Sequence, residues 1–146
     1  LTREFFHLIC GDRLGQGVAR EVYVLKTDPG YVVKFEVGSI ENNRGDFQNA
    51  REWDVWHCAP PSAKRWLAPC DSISIHGTIL IQRRVTPLLE PPRMVPEWIN
   101  HDLHCNNWGV INGRPVIVDY GRHKMLEHGF KSMSKMVKRK VTGWSP

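Results

Sequence analysis

The sequence predicts an α+β fold that opens with an antiparallel sheet. Three observations lead there. β-branched and aromatic runs at 21–25 and 31–37 flank a Pro-Gly turn. Between 46 and 58 the alternation gives way to a helical period. An Asn-Gly pair at 112–113 then joins two apolar runs, a strong short-range hairpin signal.

In chain order, a first strand is expected around Leu8 to Leu14, leading into Gly15-Gln16-Gly17. Glu21–Leu25 and Tyr31–Val37 follow as strands, joined by Thr27-Asp28-Pro29-Gly30. Asp46 is placed to cap a helix running to Cys58, with Phe47, Ala50, Trp53, Val55 and Trp56 on one side. Pro60-Pro61 ends it. Ser72–Ile75 and Thr78–Gln82 form a hairpin about His76-Gly77. Pro87, Pro91, Pro92 and Pro96 make 86–97 an extended connector between two parts of the chain. A polar loop at 101–107 leads into the hairpin Trp108–Ile111 and Pro115–Val118. From Lys124 to Val141 a helix is expected, burying Met125, Leu126, Phe130, Met133, Met136 and Val137.

The 146 residues suit one domain with a real core, and 41% hydrophobic against 24% charged residues suits a globular chain. No apolar run reaches the roughly 18 residues of a membrane helix. The first six residues lack the apolar core and small-residue cleavage site of a secretory signal, and the absence of a starting Met suggests a processed or trimmed chain. Cys10, Cys58, Cys70 and Cys105 are scattered without a Cys-x-x-Cys pair, which favours a reducing cytoplasm over a disulfide framework. A net charge of +5 favours an anionic partner: a nucleotide, a nucleic acid or an acidic protein surface. Lys131, Lys135, Lys138, Arg139 and Lys140 supply much of the excess, and as a plain solvated helix face they would specify little.

Several residues carry chemistry. Gly15 and Gly17 let backbone approach a phosphate because no Cβ intervenes, although Gly-x-Gly between strands is also an ordinary turn. Lys34 sits mid-strand among apolar residues. Turned inward it needs an anion, and Glu52, amid the apolar positions of its helix, fits; at an edge Lys34 would reach out to water. The stretch 100–107 is dense in titratable and amide groups: Asp102 can accept a proton from a hydroxyl, and Asn107 offers a neutral oxygen to a hard cation. Asp119 ends an apolar strand with a carboxylate, and two such oxygen donors suit Mg²⁺. A zinc site from His101, Asp102, His104 and Cys105 is the rival, but the four stand too close in sequence to close a tetrahedron without a distant ligand. A histidine bonding the loop backbone is the plainer role.

Taken together, these motifs resemble the protein-kinase superfamily, in particular its aminoglycoside-phosphotransferase-like branch. Gly15 to Val22 looks like the family's glycine loop, with Arg20 in place of the third glycine. Val32-Val33-Lys34 looks like the strand lysine motif, Glu52 the helix glutamate, Asn100 to Asn107 the catalytic loop, and Asp119-Tyr120-Gly121 the metal-binding triplet. The resemblance spans residues 8 to 121.

The resemblance implies a kinase-like N-lobe over 1–85, with a five-stranded antiparallel sheet and one helix, and a drastically reduced C-lobe over 86–146 with catalytic loop, hairpin and terminal helix. It implies ATP and Mg²⁺ as cofactors. Lys34, positioned by Glu52, would pair with the α- and β-phosphates, and Gly15 and Gly17 would lie over them. Val22 and Val32 would sandwich the adenine, and Ile81–Arg84, with Gln82 and Arg83 at its centre, would be the hinge that bonds it. Asn107 and Asp119 would hold the metal, and Asp102 would orient the acceptor hydroxyl. Asn100 stands where the family's loop has its first histidine, the connector before Asp102 is short, and 25 residues follow Gly121. The activity expected is phosphoryl transfer from ATP to a protein or small-molecule hydroxyl. The alternatives are a pseudokinase-type module that binds ATP or a protein without catalysis, and a nucleic-acid binder using tryptophans and the basic tail; the last leaves Asp102, Asn107 and Asp119 unexplained. The basic tail is also expected to dock an acidic partner, and a homodimer could complete the reduced lobe. So small a kinase further suggests a compact genome, viral or mobile.

Overall fold

In a computed structural model of the chain, residues 2–16, 20–36, 47–121, 130 and 135–146 are described. The fold is mixed α+β and divides into two units, Leu1–Trp53 with Pro69–Arg84, and Asp54–Ala68 with Val85–Pro146. Residues 54–68, expected within 1–85, therefore belong with the second unit.

The first unit is built on a five-stranded antiparallel sheet. Its strands are β1 (Cys10–Gln16), β2 (Arg20–Leu25), β3 (Tyr31–Glu36), β4 (Cys70–Ile73) and β5 (Ile79–Arg83), in the order β1-β2-β3-β5-β4. Alternation along each strand gives the sheet two different faces. On one, Val33 and Phe35 of β3 pack with Cys10, Tyr23, Leu25, Ile79 and Ile81. Helix α1 (Arg3–Ile9) covers this face through Phe6 and Ile9, and Phe6 meets Tyr23 edge-on at 5.1 Å between ring centroids. The sequence pattern was expected to give a strand from Leu8; instead Thr2 caps a helix by accepting from the Phe5 amide at 3.3 Å, and β1 starts only at Cys10.

The other face carries Val22, Val32, Lys34, Leu80 and Gln82. Helix α2 (Gln48–Cys58) lays Asn49 and Glu52 against it. The Asn49 amide, in the first turn of α2, donates to the Glu36 carboxylate, which suits the positive end of a helix. The expected cap, Asp46, lies outside the described residues. Pro60 and Pro61 end α2 as expected, and a one-turn α3 (Pro61–Lys64) follows.

In the second unit, β6 (Thr86–Pro87), β8 (Trp108–Ile111) and β9 (Arg114–Ile117) form a three-stranded sheet in the order β6-β8-β9. The β8–β9 turn places Asn112 at φ 51° and Gly113 at φ 75°, the two positive dihedrals that an Asn-Gly hairpin turn requires. At the end of β9, Ile117 donates to Trp66 O at 2.8 Å and accepts from the Ala68 amide at 2.9 Å. Val55, Ala63, Leu67, Ile99, Leu103, Trp108, Ile117 and Tyr120 are buried in this unit.

The helix expected over 124–141 is corrected where it is described. Met125, Leu126 and Met133 lie outside the described residues, as does Lys131. Met136–Val137 forms β10, paired antiparallel with β7 (Val95–Pro96), and Met136 is exposed rather than buried. The cause is tertiary: Arg139 donates to the carbonyls of Ile99 at 2.7 Å and Glu97 at 2.9 Å, and Leu103 pairs with Val141. These partners draw the backbone out into an extended line against its local helical period. Phe130 is half-buried and packs edge-on against Trp98, 5.2 Å between centroids.

Candidate functional site

The first unit brings Lys34 and Glu52 together as the sequence suggested. Lys34 Nζ lies 2.5 Å from Glu52 Oε1, with Lys34 only 4% exposed and Glu52 fully buried. The lysine therefore faces inward and does not reach out from an edge. Two partners that sequence reading missed share the carboxylate. Arg20 Nη1 reaches Glu52 Oε2 at 2.9 Å, and Gln82 Nε2 donates to Oε1 at 2.9 Å. Arg20, noticed only as a replacement for a glycine, is thus part of the cluster and almost completely buried.

Asn49 ties this cluster to the backbone. Its side-chain amide donates to the carbonyls of Lys34 at 3.0 Å and Thr78 at 3.1 Å, while its oxygen accepts from Arg20 at 3.1 Å. An interior carboxylate with two cations is stable only when each charge is paired and hydrogen-bonded, and this network supplies those bonds. An asparagine in the first turn of a helix carries no sequence signal of its own for such a role.

Register sets what surrounds the ammonium. Gly15, Val22, Lys34 and Leu80 lie in one row across β1, β2, β3 and β5. Among the described residues, a Cβ added at Gly15 would meet nothing within 4 Å. Val32 lies in the next row, between Val24 and Gln82. Gly17 lies outside the described residues.

At the hinge expected over Ile81–Arg84, three donors have partners within the protein. The Gln82 side chain is buried and given to Glu52, with Cys70 Sγ at 3.8 Å. The Arg83 amide donates to Pro69 O at 2.8 Å and the Arg84 amide to Gly30 O at 2.9 Å. These N–H groups are spent on the sheet and its turn. The Arg83 guanidinium lies over the Tyr31 ring, 5.9 Å from its centroid.

In the second unit, Asn107 and Asp119 both lie at the open end of the β8–β9 hairpin, on its two chain arms. Trp108 pairs with Ile117, and the Val118 amide donates to the Asn107 carbonyl at 2.9 Å, which sets Asp119 one residue beyond Asn107's partner. Both residues are half-buried. Tyr120, between Asp119 and Gly121, is fully buried and donates its hydroxyl to Ala68 O at 2.7 Å.

Asp102 is exposed and accepts from the Thr142 hydroxyl at 3.1 Å. His104 is structural: its Nδ1 accepts from the Asn106 amide at 3.2 Å and caps the 3-10 turn Cys105–Asn107. Among the described residues no three His, Cys, Asp or Glu side chains gather to hold a metal. Asn107 and Asp119, the two oxygen-bearing residues that the sequence reading gave to a hard cation, stand at the hairpin end one position out of direct pairing.

Two groups near the sheet core have perturbed acidity. Burial pushes the Cys10 thiol up to about 11, and burial followed by the neighbouring Glu21 carboxylate raises the Tyr23 phenol. Both flank α1 on the sheet face away from Lys34. Among the described residues no helix is long and apolar enough to cross a membrane. The chain matches no protein-family model, and no curated protein is significantly similar to it.

Proposed function

We propose that this chain is an ATP-dependent phosphotransferase of the protein-kinase-like type, with a nucleotide site in the first unit and a strongly reduced second lobe. The observation that carries the reading is the buried Lys34–Glu52 pair in register with Gly15 and Val22. An ammonium held by a carboxylate, in one row with a residue without a Cβ, suits a phosphate chain approaching along the backbone. Lys34 would contact the α- and β-phosphates, and Val22 and Val32 would pack on the adenine. With their N–H groups engaged, Gln82 and Arg83 would serve as walls rather than as base-reading donors.

Asn107 and Asp119 would hold Mg²⁺ through their side-chain oxygens, and the ion would supply charge neutralisation at the transferred phosphoryl group. Asp102, exposed on its loop, would orient an acceptor hydroxyl and take its proton. A cytoplasmic setting fits the four free cysteines.

A second reading is a nucleotide- or protein-binding module without transfer. It is favoured by the full occupation of Glu52, both of whose oxygens are already engaged by Lys34, Gln82 and Arg20. Melting the chain with and without Mg²⁺-ATP tests the nucleotide site, and a stabilisation that saturates with ATP is the expected result. Transfer of labelled γ-phosphate by wild type and Asp102→Asn then separates enzyme from binder. Equal labelling by both would remove Asp102 from the reaction. A rise in melting temperature without any transfer would leave the binding module.

A further inference from the structure

The segment 139–145 is pinned along the loop that carries Asp102. Arg139 bonds Ile99 O and Glu97 O. The Leu103 amide donates to Lys140 O at 2.8 Å, and the Thr142 amide donates to Leu103 O at 2.9 Å. Leu103 and Val141 thereby form a parallel bridge. Farther on, Trp144 donates from Nε1 to Leu89 O at 3.2 Å and Cys105 donates from Sγ to Ser145 O at 3.4 Å. Residues 140–142 are thus docked on the loop by main-chain bonds, the mode in which a peptide is held beside a strand, before the chain turns at Gly143 with φ 55°.

The register of that docking gives Thr142 a special place. Its hydroxyl donates to Asp102 Oδ2 at 3.1 Å. A general base takes a proton from a hydroxyl at about 2.6–3.2 Å, so the pair already has the geometry of base and acceptor. Both side chains are exposed, so burial alone does not force the contact.

We infer that Thr142 is a phosphoacceptor of the chain itself, presented in cis to Asp102 by the docked 139–145 segment. The inference rests on the phosphotransferase reading and names the acceptor class of that reading: an aliphatic hydroxyl in polypeptide, preceded by the basic residues Lys138, Arg139 and Lys140. In the reaction, Thr142 Oγ1 forms a bond to the γ-phosphorus of ATP as the bond to the β,γ-bridging oxygen breaks. ADP leaves with that electron pair, and the hydroxyl proton passes to Asp102. The product places a phosphate beside the Asp102 carboxylate, where like charges repel, so the modified segment is released from the loop rather than held.

The test is incubation of the whole chain with Mg²⁺ and γ-labelled ATP, followed by mass spectrometry of its peptides. Phosphate is expected on Thr142, at a rate per molecule that does not change with protein concentration. Thr142→Val should lose label at that position. Thr142→Ser should keep it, now on serine. Asp102→Asn should slow it about 100-fold or more. Circular dichroism melts of each variant guard against misfolding. Label on other residues alone, a rate that rises with protein concentration, or label at position 142 undiminished by Asp102→Asn would each overturn the inference. If ATP raises the melting temperature and no phosphate reaches Thr142, the inference fails while nucleotide binding stands. If ATP has no effect on melting and none is turned over, the phosphotransferase reading falls and the inference with it.

Discussion

The side-chain amide of Asn49 donates to the backbone carbonyl of Lys34 at 3.0 Å. That bond fixes the start of α2 against the middle of β3, and it determines how Glu52, one turn farther along the helix, meets the Lys34 ammonium. Asn49→Ala would leave the carbonyls of Lys34 and Thr78 without this amide and would remove one of the oxygens bonded to Arg20, which keeps Glu52. A loss of about 3 kcal/mol in urea unfolding is expected, from buried polar groups left unsatisfied.

The Glu52 cluster should respond asymmetrically to mutation. Glu52→Gln removes the anion shared by Lys34 and Arg20, and breaking a buried ion pair in this way costs about 3–5 kcal/mol. Lys34→Met leaves Glu52 with Arg20 and Gln82, so its cost in urea should be clearly smaller. Lys34→Met should nevertheless abolish stabilisation by Mg²⁺-ATP, which separates the lysine's role toward a ligand from its role in folding.

Gly109 is required by a close approach. A Cβ there would stand 2.2 Å from Val85 Cγ2 and 3.0 Å from the Thr86 carbonyl oxygen. Gly109→Ala should destabilise by about 1–3 kcal/mol through overpacking. Because the Val85 Cβ would itself stand 2.5 Å away, Val85→Ala should recover little of the loss and Val85→Gly more, with coupling of about 1 kcal/mol in that second double-mutant cycle.

Stability should fall on the alkaline side. The buried Cys10 thiol is raised from 9.0 to about 11, so the unfolded chain loses this proton first as pH rises. The contribution is fully present below pH 9, declines above it and is gone once pH passes about 11. Tyr23 is shifted in the same direction and adds to the fall. A shift of this size corresponds to roughly 3 kcal/mol at most. Cys10→Ala should flatten the decline in denaturation midpoints measured from pH 8 to 11. Thiol titration of the folded chain should find exposed Cys58 reactive and Cys10 protected.

Much of the sheet was legible. Strands β2 and β3 announce themselves by β-branched and aromatic runs around a Pro-Gly turn, and the β8–β9 hairpin by Asn112-Gly113. Glu52 stood out because a carboxylate among apolar helix positions needs a cation, and Lys34 stood out for the opposite reason. Arg20 and Asn49 did not, because an arginine at a strand start and an asparagine in a first helical turn are ordinary surface residues until the fold buries them. The α1 helix was hidden by a sequence whose apolar residues also suit a strand, and only the Thr2 cap and the packing of Phe6 decide it.

The sequence by itself determined the local elements and the two oppositely charged residues that had to meet, because period, turn dihedrals and the cost of burying a lone charge are properties of short stretches of chain. Tertiary structure alone decided that Arg20 and Gln82 share Glu52, that Asn107 pairs through its backbone with the residue before Asp119, and that 136–142 is extended. Those outcomes depend on partners far away along the chain. A backbone carbonyl such as that of Ile99 or Leu103 attracts Arg139 or Thr142 only after folding has placed it there.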